Sequence, residues 1–351
     1  MTNHSDCSAG TRAAPRPRSY RNQLRGKVRN GAVEAPSEGE RGFALLAVML
    51  VLGFFGIIAA EFAFSMRLEA TMARHFKEEI VAQHLAEAGV QQAIREFAAA
   101  ATQPALDRDG QLVFYKDGTK ALTAPERKDV ALGQGRFSYR ISDEESRINL
   151  NTAPPDVLGR LLGSLGVDKD ERDTIVSSIQ DWKDPNELYR LNGAESDDYY
   201  LKLPVPYRSK NANFDVVSEL LQVKGVTRQI HDGTTEQPGL AEFLTVVGTG
   251  QVNINTASET VLKALGLSEA EISEIQQTRE NQPYIRTTIS RFGGRGLVTE
   301  AQHFRVESIG LVDGQPRYRI SAVIQRKLDA SGGFIPVTLS WHTSPRFSRL
   351  P

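Results

Sequence analysis

The sequence predicts an α+β fold: one long N-terminal helix, apolar at first and amphipathic later, packed on an antiparallel sheet, with a large all-α domain inserted. Three observations predict it. Residues 43–60 read FALLAVMLVLGFFGIIAA, without a charge. Short alternating runs, the mark of half-buried strands, lie near both ends of the chain beyond that helix. Between them, roughly 148–290, the texture is helical and holds an internal echo.

The N-terminal helix comes first. A helix needs about 20 apolar residues to cross the hydrocarbon core, and Phe43–Phe64 is long enough, with Glu61 near the far interface. Residues 1–42 carry eight Lys and Arg against four Asp and Glu, so the N-terminus is predicted to stay cytoplasmic and the body to face outward. A cleaved secretory signal needs a shorter apolar run followed by small residues, which this run is not. A plain signal anchor and a prepilin-type signal, cut before the apolar run, both remain. Glu40-Arg41-Gly42 directly before Phe43 favours the second. The apolar segment then continues without a breaker to about residue 100. Met66, Ala70, Ala73, Phe76, Ile80, Leu85, Ala88, Ile94 and Phe97 recur at threes and fours, a stripe expected to pack on the body's own sheet.

Leu112–Tyr115 and Arg136–Ile141 read as strands, as do Phe304–Val312, Arg317–Lys327 and Phe334–His342. Asp313-Gly314 and Ser331-Gly332-Gly333 supply turns. All five are expected in one antiparallel sheet. In the insert, INLNTA at 148–153 recurs as VNINTA at 252–257. Each copy opens a helix, Thr152 or Ala153 leading into prolines and Thr256 or Ser258 capping. Each then turns at a glycine, Gly166 or Gly266, into a second helix. Residues 214–227 look like a third, partial unit. The expected division is a leader 1–42, a transmembrane helix 43–64, an α/β part 65–147, the helical insert 148–290 and a returning sheet 300–345.

Composition narrows function. Net charge is −1, with no global pull toward nucleic acid, and the single cysteine, Cys7, allows neither an intramolecular disulfide nor a cysteine metal site. The two hairpin units resemble those of membrane-anchored DNA receptors, the alternative reading. Yet residues 148–179 hold five acids against three bases and residues 252–279 four against two, a charge that repels phosphate. No Gly-x-Ser-x-Gly, phosphate loop or His-Glu-x-x-His occurs, so no catalytic residue is assigned. Residues 181–198, DWKDPNELYRLNGAESDD, gather six carboxylates and two Asn amides in a turn-rich loop. Hard oxygen donors suit Ca²⁺, although the spacing is not an EF-hand; a solvated acidic loop is the other reading.

The uninterrupted N-terminal helix and the paired Asn-Thr-Ala elements with DWKDPNE between them resemble the K-class minor pseudopilins of type II secretion systems, within the type IV pilin-like superfamily. Position five counted from Phe43 is Ala47, where most pilin-like chains have Glu and the K class lacks it. A carboxylate in lipid is costly without a neighbour's ammonium, and a tip subunit has no neighbour above it. The 42-residue leader is longer than the family usually shows. The resemblance implies a pseudopilin fold, cleavage by prepilin peptidase between Gly42 and Phe43, methylation of the new terminus, and an inner-membrane anchor with a periplasmic body. It implies a tip complex with I- and J-class pseudopilins above the major pseudopilin, with no nucleic acid partner. It also implies calcium in the helical insert, with Asp184, Asn186, Glu195, Asp197 and Asp198 as the candidate ligands.

Overall fold

The computed structural model describes residues 38–98, 102–107, 109–116, 120–286, 292, 294–330 and 333–344. By contact the chain forms two compact units, Met1–Leu68 and Glu69–Pro351.

In the first unit the described residues belong to helix α1, Glu38–Ala98, whose later turns lie in the second unit. The helix is long and apolar enough to cross a membrane: its most apolar 18-residue window has a mean hydropathy of 2.7 and none of it is buried. Gly42 and Phe43 both lie inside α1, since the helix begins at Glu38. Most of the expected leader falls outside the described residues.

The second unit has two cores. The first lies between α1 and a five-stranded antiparallel sheet. Its strands are β4 (Val130–Leu132) and β5 (Gly135–Asp143), then, beyond the insert, β10 (His303–Val312), β11 (Gln315–Leu328) and β12 (Phe334–Ser344), in the order β12-β11-β10-β5-β4. Asp313 and Gly314, with φ of 52° and 71°, make the tight β10–β11 turn that their sequence predicts. The stripe of α1 is used only in part. Ala82, Leu85, Ala86, Val90, Ala93 and Phe97 join the core, whereas Met66, Phe76 and Ile80, expected against the sheet, are exposed. Close approach selects small residues here. A Cβ on Gly310 would meet the Ala82 carbonyl oxygen, and one on Gly89 would meet Ser308 Oγ. Glu96 then ties helix to sheet, accepting from Arg127 and from the Tyr139 hydroxyl.

Leu112–Tyr115 does not join that sheet, contrary to expectation. It lies in β2 (Leu112–Lys116), the middle of a separate three-stranded sheet with β1 (Thr102–Leu106) and β3 (Lys120–Ala121). The reason is edge occupancy. β5 pairs with β10 along one side, and β4 takes the start of its other side.

β5 and β10 are direct neighbours, with Asp143 opposite Phe304, so the chain between them leaves and re-enters the sheet at one place. That excursion carries the other α-helices, linked by long irregular segments, and has its own core, running from Ile148 to Phe292. Its elements are β6 (Ile148–Asn149), α2 (Pro155–Ser164), α3 (Lys169–Lys183), α4 (Arg228–Asp232), β7 (Leu244–Thr245), β8 (Val252–Asn253), α5 (Glu259–Ala264), α6 (Glu269–Asn281) and β9 (Leu297–Val298). β6 pairs with β7 and β8 with β9, each in parallel.

A buried polar network fixes the insert where it crosses. Asp143 Oδ2 accepts from Asn253 Nδ2 (2.7 Å) and Thr256 Oγ1 (2.6 Å), and Oδ1 from the Glu145 amide (2.8 Å). Thr256 is therefore a tether, not the helix cap its position suggested. Glu145 accepts from His303 Nδ1 at 2.6 Å, and the fully buried Glu144 meets Arg147 at 2.7 Å and Arg305 at 2.6 Å. Burial, then the charge of Glu145, push the Asp143 carboxyl well above its usual range. Burial also works to raise Glu144, but Arg147 and Arg305 outweigh it and hold that carboxyl low.

This packing generates two predictions. Gly310→Ala is expected to cost about 2 kcal/mol by overpacking, read as a lower denaturation midpoint at unchanged slope. Asp143 keeps its proton in the fold to a higher pH than in the unfolded chain. Its contribution is thus complete below about pH 4 and declines as pH rises toward the folded value. The stability of Asp143→Asn relative to the parent should therefore improve steadily with pH over that window, and a pH-independent difference would refute the assignment.

Candidate functional site

Two features of the insert carry functional groups: the paired hairpins and the acidic loop. The hairpins repeat one hydrogen-bond scheme. Asn149 Oδ1 accepts from the Asn151 amide (2.9 Å), and Asn253 Oδ1 from that of Asn255 (3.0 Å), each making a side-chain-closed turn. The second Asn of each copy clasps a later strand of chain. Asn151 receives the Phe214 amide (2.8 Å) and donates to its carbonyl (3.0 Å); Asn255 receives the Tyr284 amide (2.7 Å) and donates to its carbonyl (3.0 Å). Gly166 and Gly266, at φ of 80° and 84°, end the first helix of each copy. Arg160 on α2 reaches the Ala264 carbonyl at the end of α5 (2.7 Å), joining the copies. The partial third unit is a 3-10 turn at Val217–Gln222, Gly225, and α4 capped by Thr227.

Helix N-termini of such hairpins can hold phosphate only if their amides are free. Here they are taken. Asp168 accepts from Asp170 and Glu171 at the start of α3. Ser268 and Glu271 form a reciprocal capping box at the start of α6. Acidic side chains in both first turns add repulsion, so these hairpins are built for packing one another.

The acidic loop begins at the end of α3. Asp181 lies in the last turn of that helix and Asp184 caps it, so the two carboxylates fall three residues apart on one face. The loop returns at Glu195. One oxygen from each of Asp181, Asp184 and Glu195 lies within 4.8 Å of the others. Asp181 organises the return, accepting from the amides of Arg190 (3.0 Å) and Ala194 (2.9 Å). Its Oδ2 stands 1.9 Å from where a Cβ on Gly193 would be, so that position has room only for glycine. Behind the loop, the buried Trp182 and Tyr200 meet edge to face at 5.3 Å and form its floor.

Of the five expected ligands, Asp184 and Glu195 belong to the triad. Asn186 is adjacent, its amide donating to Asp184 Oδ1 at 2.7 Å. Asp197 is exposed and Asp198 half-buried, and neither is part of the triad. Sequence reasoning left out Asp181; its signal was the Asp-x-x-Asp spacing at a helix end. Glu195 is 1% exposed, and its Oε1 has no hydrogen-bond partner; Asp198 Oδ1 is likewise buried and unpartnered. Burial pushes the Glu195 carboxyl up to about 7, against a hydrogen bond from Ser209, with Asp181, Glu187 and Asp184 adding to the rise. Such a set of convergent, partly unsatisfied oxygens fits a hard cation.

Comparison with known proteins agrees with this architecture. Residues 140–233 match the family model described as type II secretion system (T2SS), protein K. A protein K relative of Escherichia coli (strain K12) is 26% identical over 269 residues, covering 71% of this chain and 77% of that one. The type II secretion system protein K of Pectobacterium carotovorum subsp. carotovorum is 32% identical over 146 residues, 40% of this chain and 42% of that one. Among solved structures, the crystal structure of the GspK-GspI-GspJ complex from enterotoxigenic Escherichia coli contains a chain that matches with a TM-score of 0.58 at 17% identity. The match covers 79% of this chain and 99% of that chain, so the fold is shared. In sequence over residues 140–233, and in fold over most of its length, the chain is similar to type II secretion system protein K.

Proposed function

We propose that this chain is a minor pseudopilin that stands in the tip complex of a type II secretion pseudopilus and starts its assembly. Its role is structural and not catalytic. The observation that carries this reading is the state of α1. Its side chains from Gly42 to Lys77 are exposed, among them a row at four-residue spacing, Phe64, Leu68, Met72 and Phe76, whereas Ala82–Phe97 serve the chain's own core. A helix with that division needs lipid along its start and neighbouring helices along the exposed row. The likeness to a chain of the GspK-GspI-GspJ complex supports I- and J-class partners, with the major pseudopilin beneath.

Within this reading, prepilin peptidase cuts between Gly42 and Phe43, the new amine is methylated, and the mature terminus stays in the inner membrane with the body in the periplasm. The uncharged run that starts at Phe43 supports it. Mass spectrometry of membrane-extracted protein should find a peptide beginning at N-methylated Phe43; an intact upstream terminus would overturn the assignment.

The acidic loop is read as a calcium site. Asp181, Asp184 and Glu195 form its core, and Asn186, Asp197 and Asp198 are the remaining candidates. The unpartnered buried oxygens of Glu195 and Asp198 support this, since in water-poor surroundings each lacks the partner that its burial demands. Bound calcium would supply the positive charge that holds these carboxylates together. At free calcium about 100 times Kd, binding adds about 2.7 kcal/mol. Chelation should therefore lower the melting temperature of the protein by several degrees, and an unchanged melting curve would remove calcium from the account.

A further inference from the structure

We infer that Arg190 is a built-in counter-cation of the acidic loop, which competes with calcium for the candidate site and must leave when calcium enters. The inference rests on the calcium reading above. Its ground is which oxygens are already engaged. Arg190 Nη1 donates to Asp181 Oδ1 at 2.6 Å and to Asp184 Oδ2 at 2.5 Å. It thus bridges two of the three carboxylates that converge, while the buried Glu195 Oε1 beside them has no partner. The remaining acceptors are committed elsewhere: Asp184 Oδ1 to Asn186, and Asp181 Oδ2 to the Arg190 and Ala194 amides.

A calcium ion binds oxygen at about 2.3–2.6 Å and repels a guanidinium, so ion and Arg190 cannot share Asp181 Oδ1 and Asp184 Oδ2. Departure is easy for this side chain. Arg190 is 47% exposed, whereas Asp181 is fully buried, so the arginine can turn to water while the carboxylate cannot. Its backbone amide keeps its bond to Asp181 whichever way the side chain points, so the loop stays anchored. The exchange replaces one positive charge by two at a cluster of three acids. It also explains how such a cluster can fold before any ion arrives: the loop carries its own monovalent substitute.

Calcium titration by calorimetry and melting curves with and without calcium, on the full detergent-solubilised chain, test this. Arg190→Gln removes the charge and keeps the amide; Arg190→Lys keeps a charge without the fork and guards against loss of fold. The expected result is calcium binding about tenfold tighter in Arg190→Gln than in the parent, with Arg190→Lys between them. Arg190→Gln should also melt lower than the parent in chelator and equally in saturating calcium. A purely structural arginine would lower both melting temperatures. If the parent binds calcium and Arg190→Gln binds no more tightly, the counter-cation is overturned while the calcium site stands. If neither parent nor variants bind at millimolar calcium, the calcium reading itself fails, and this inference with it.

Discussion

The pairing of β5 with β10 is the constraint on which the rest of the body depends. These strands are adjacent from Asp143 opposite Phe304 to Gly135 opposite Val312, yet they are separated in sequence by the whole insert. The chain therefore leaves and returns within one strand spacing. At that crossing the backbone cannot remain in the ladder, and its polar groups are buried. Asp143, Glu144 and Glu145 serve them and reach across to Asn253, Thr256, Thr245, Arg305 and His303. An apolar plug would bury area but would leave those groups unsatisfied and set no angle. The polar plug orients the insert and does so through directional bonds.

Inside the insert, one solution is used twice. A short parallel pair, an Asn-closed turn, two helices around a left-handed glycine and a clasp by the second Asn recur in the same order, although the clasped residue lies 63 positions on in the first copy and 29 in the second. Ile148 and Leu150 donate to Phe243 and Thr245 as Val252 and Ile254 donate to Gly296 and Val298. Neither hairpin has enough apolar surface to stand alone, but α2 and α5 cover each other and merge the two into one core. Elsewhere such hairpins hold phosphate at their helix starts. Here carboxylate and hydroxyl caps occupy those amides.

Function divides along the same lines. α1 packs on its own sheet from Ala82 to Phe97, with close approaches at Gly89 and Gly310, and its earlier turns are exposed. The acidic loop lies in the first third of the insert sequence, against a buried aromatic floor, where charge can be gathered without disturbing the sheet.

The long apolar helix, the strands of the returning sheet, the repeated hairpins and the acidic character of 181–198 were all legible in the amino-acid order, because each is a local periodicity or a local concentration of charge. The tight turns at Asp313-Gly314, Gly166 and Gly266 were legible for the same reason, being set by the few residues that tolerate positive φ. Three features were not. Which part of the α1 stripe is buried depends on where the sheet ends. The exclusion of Leu112–Tyr115 from the main sheet depends on which edges are already taken. The membership of Asp181, and the bridge that Arg190 makes from it to Asp184, depend on how the loop folds back on α3. The sequence by itself determined the elements and their chemistry; tertiary structure decided which edges, faces and carboxylates meet, because those meetings join residues distant along the chain and no local pattern encodes them.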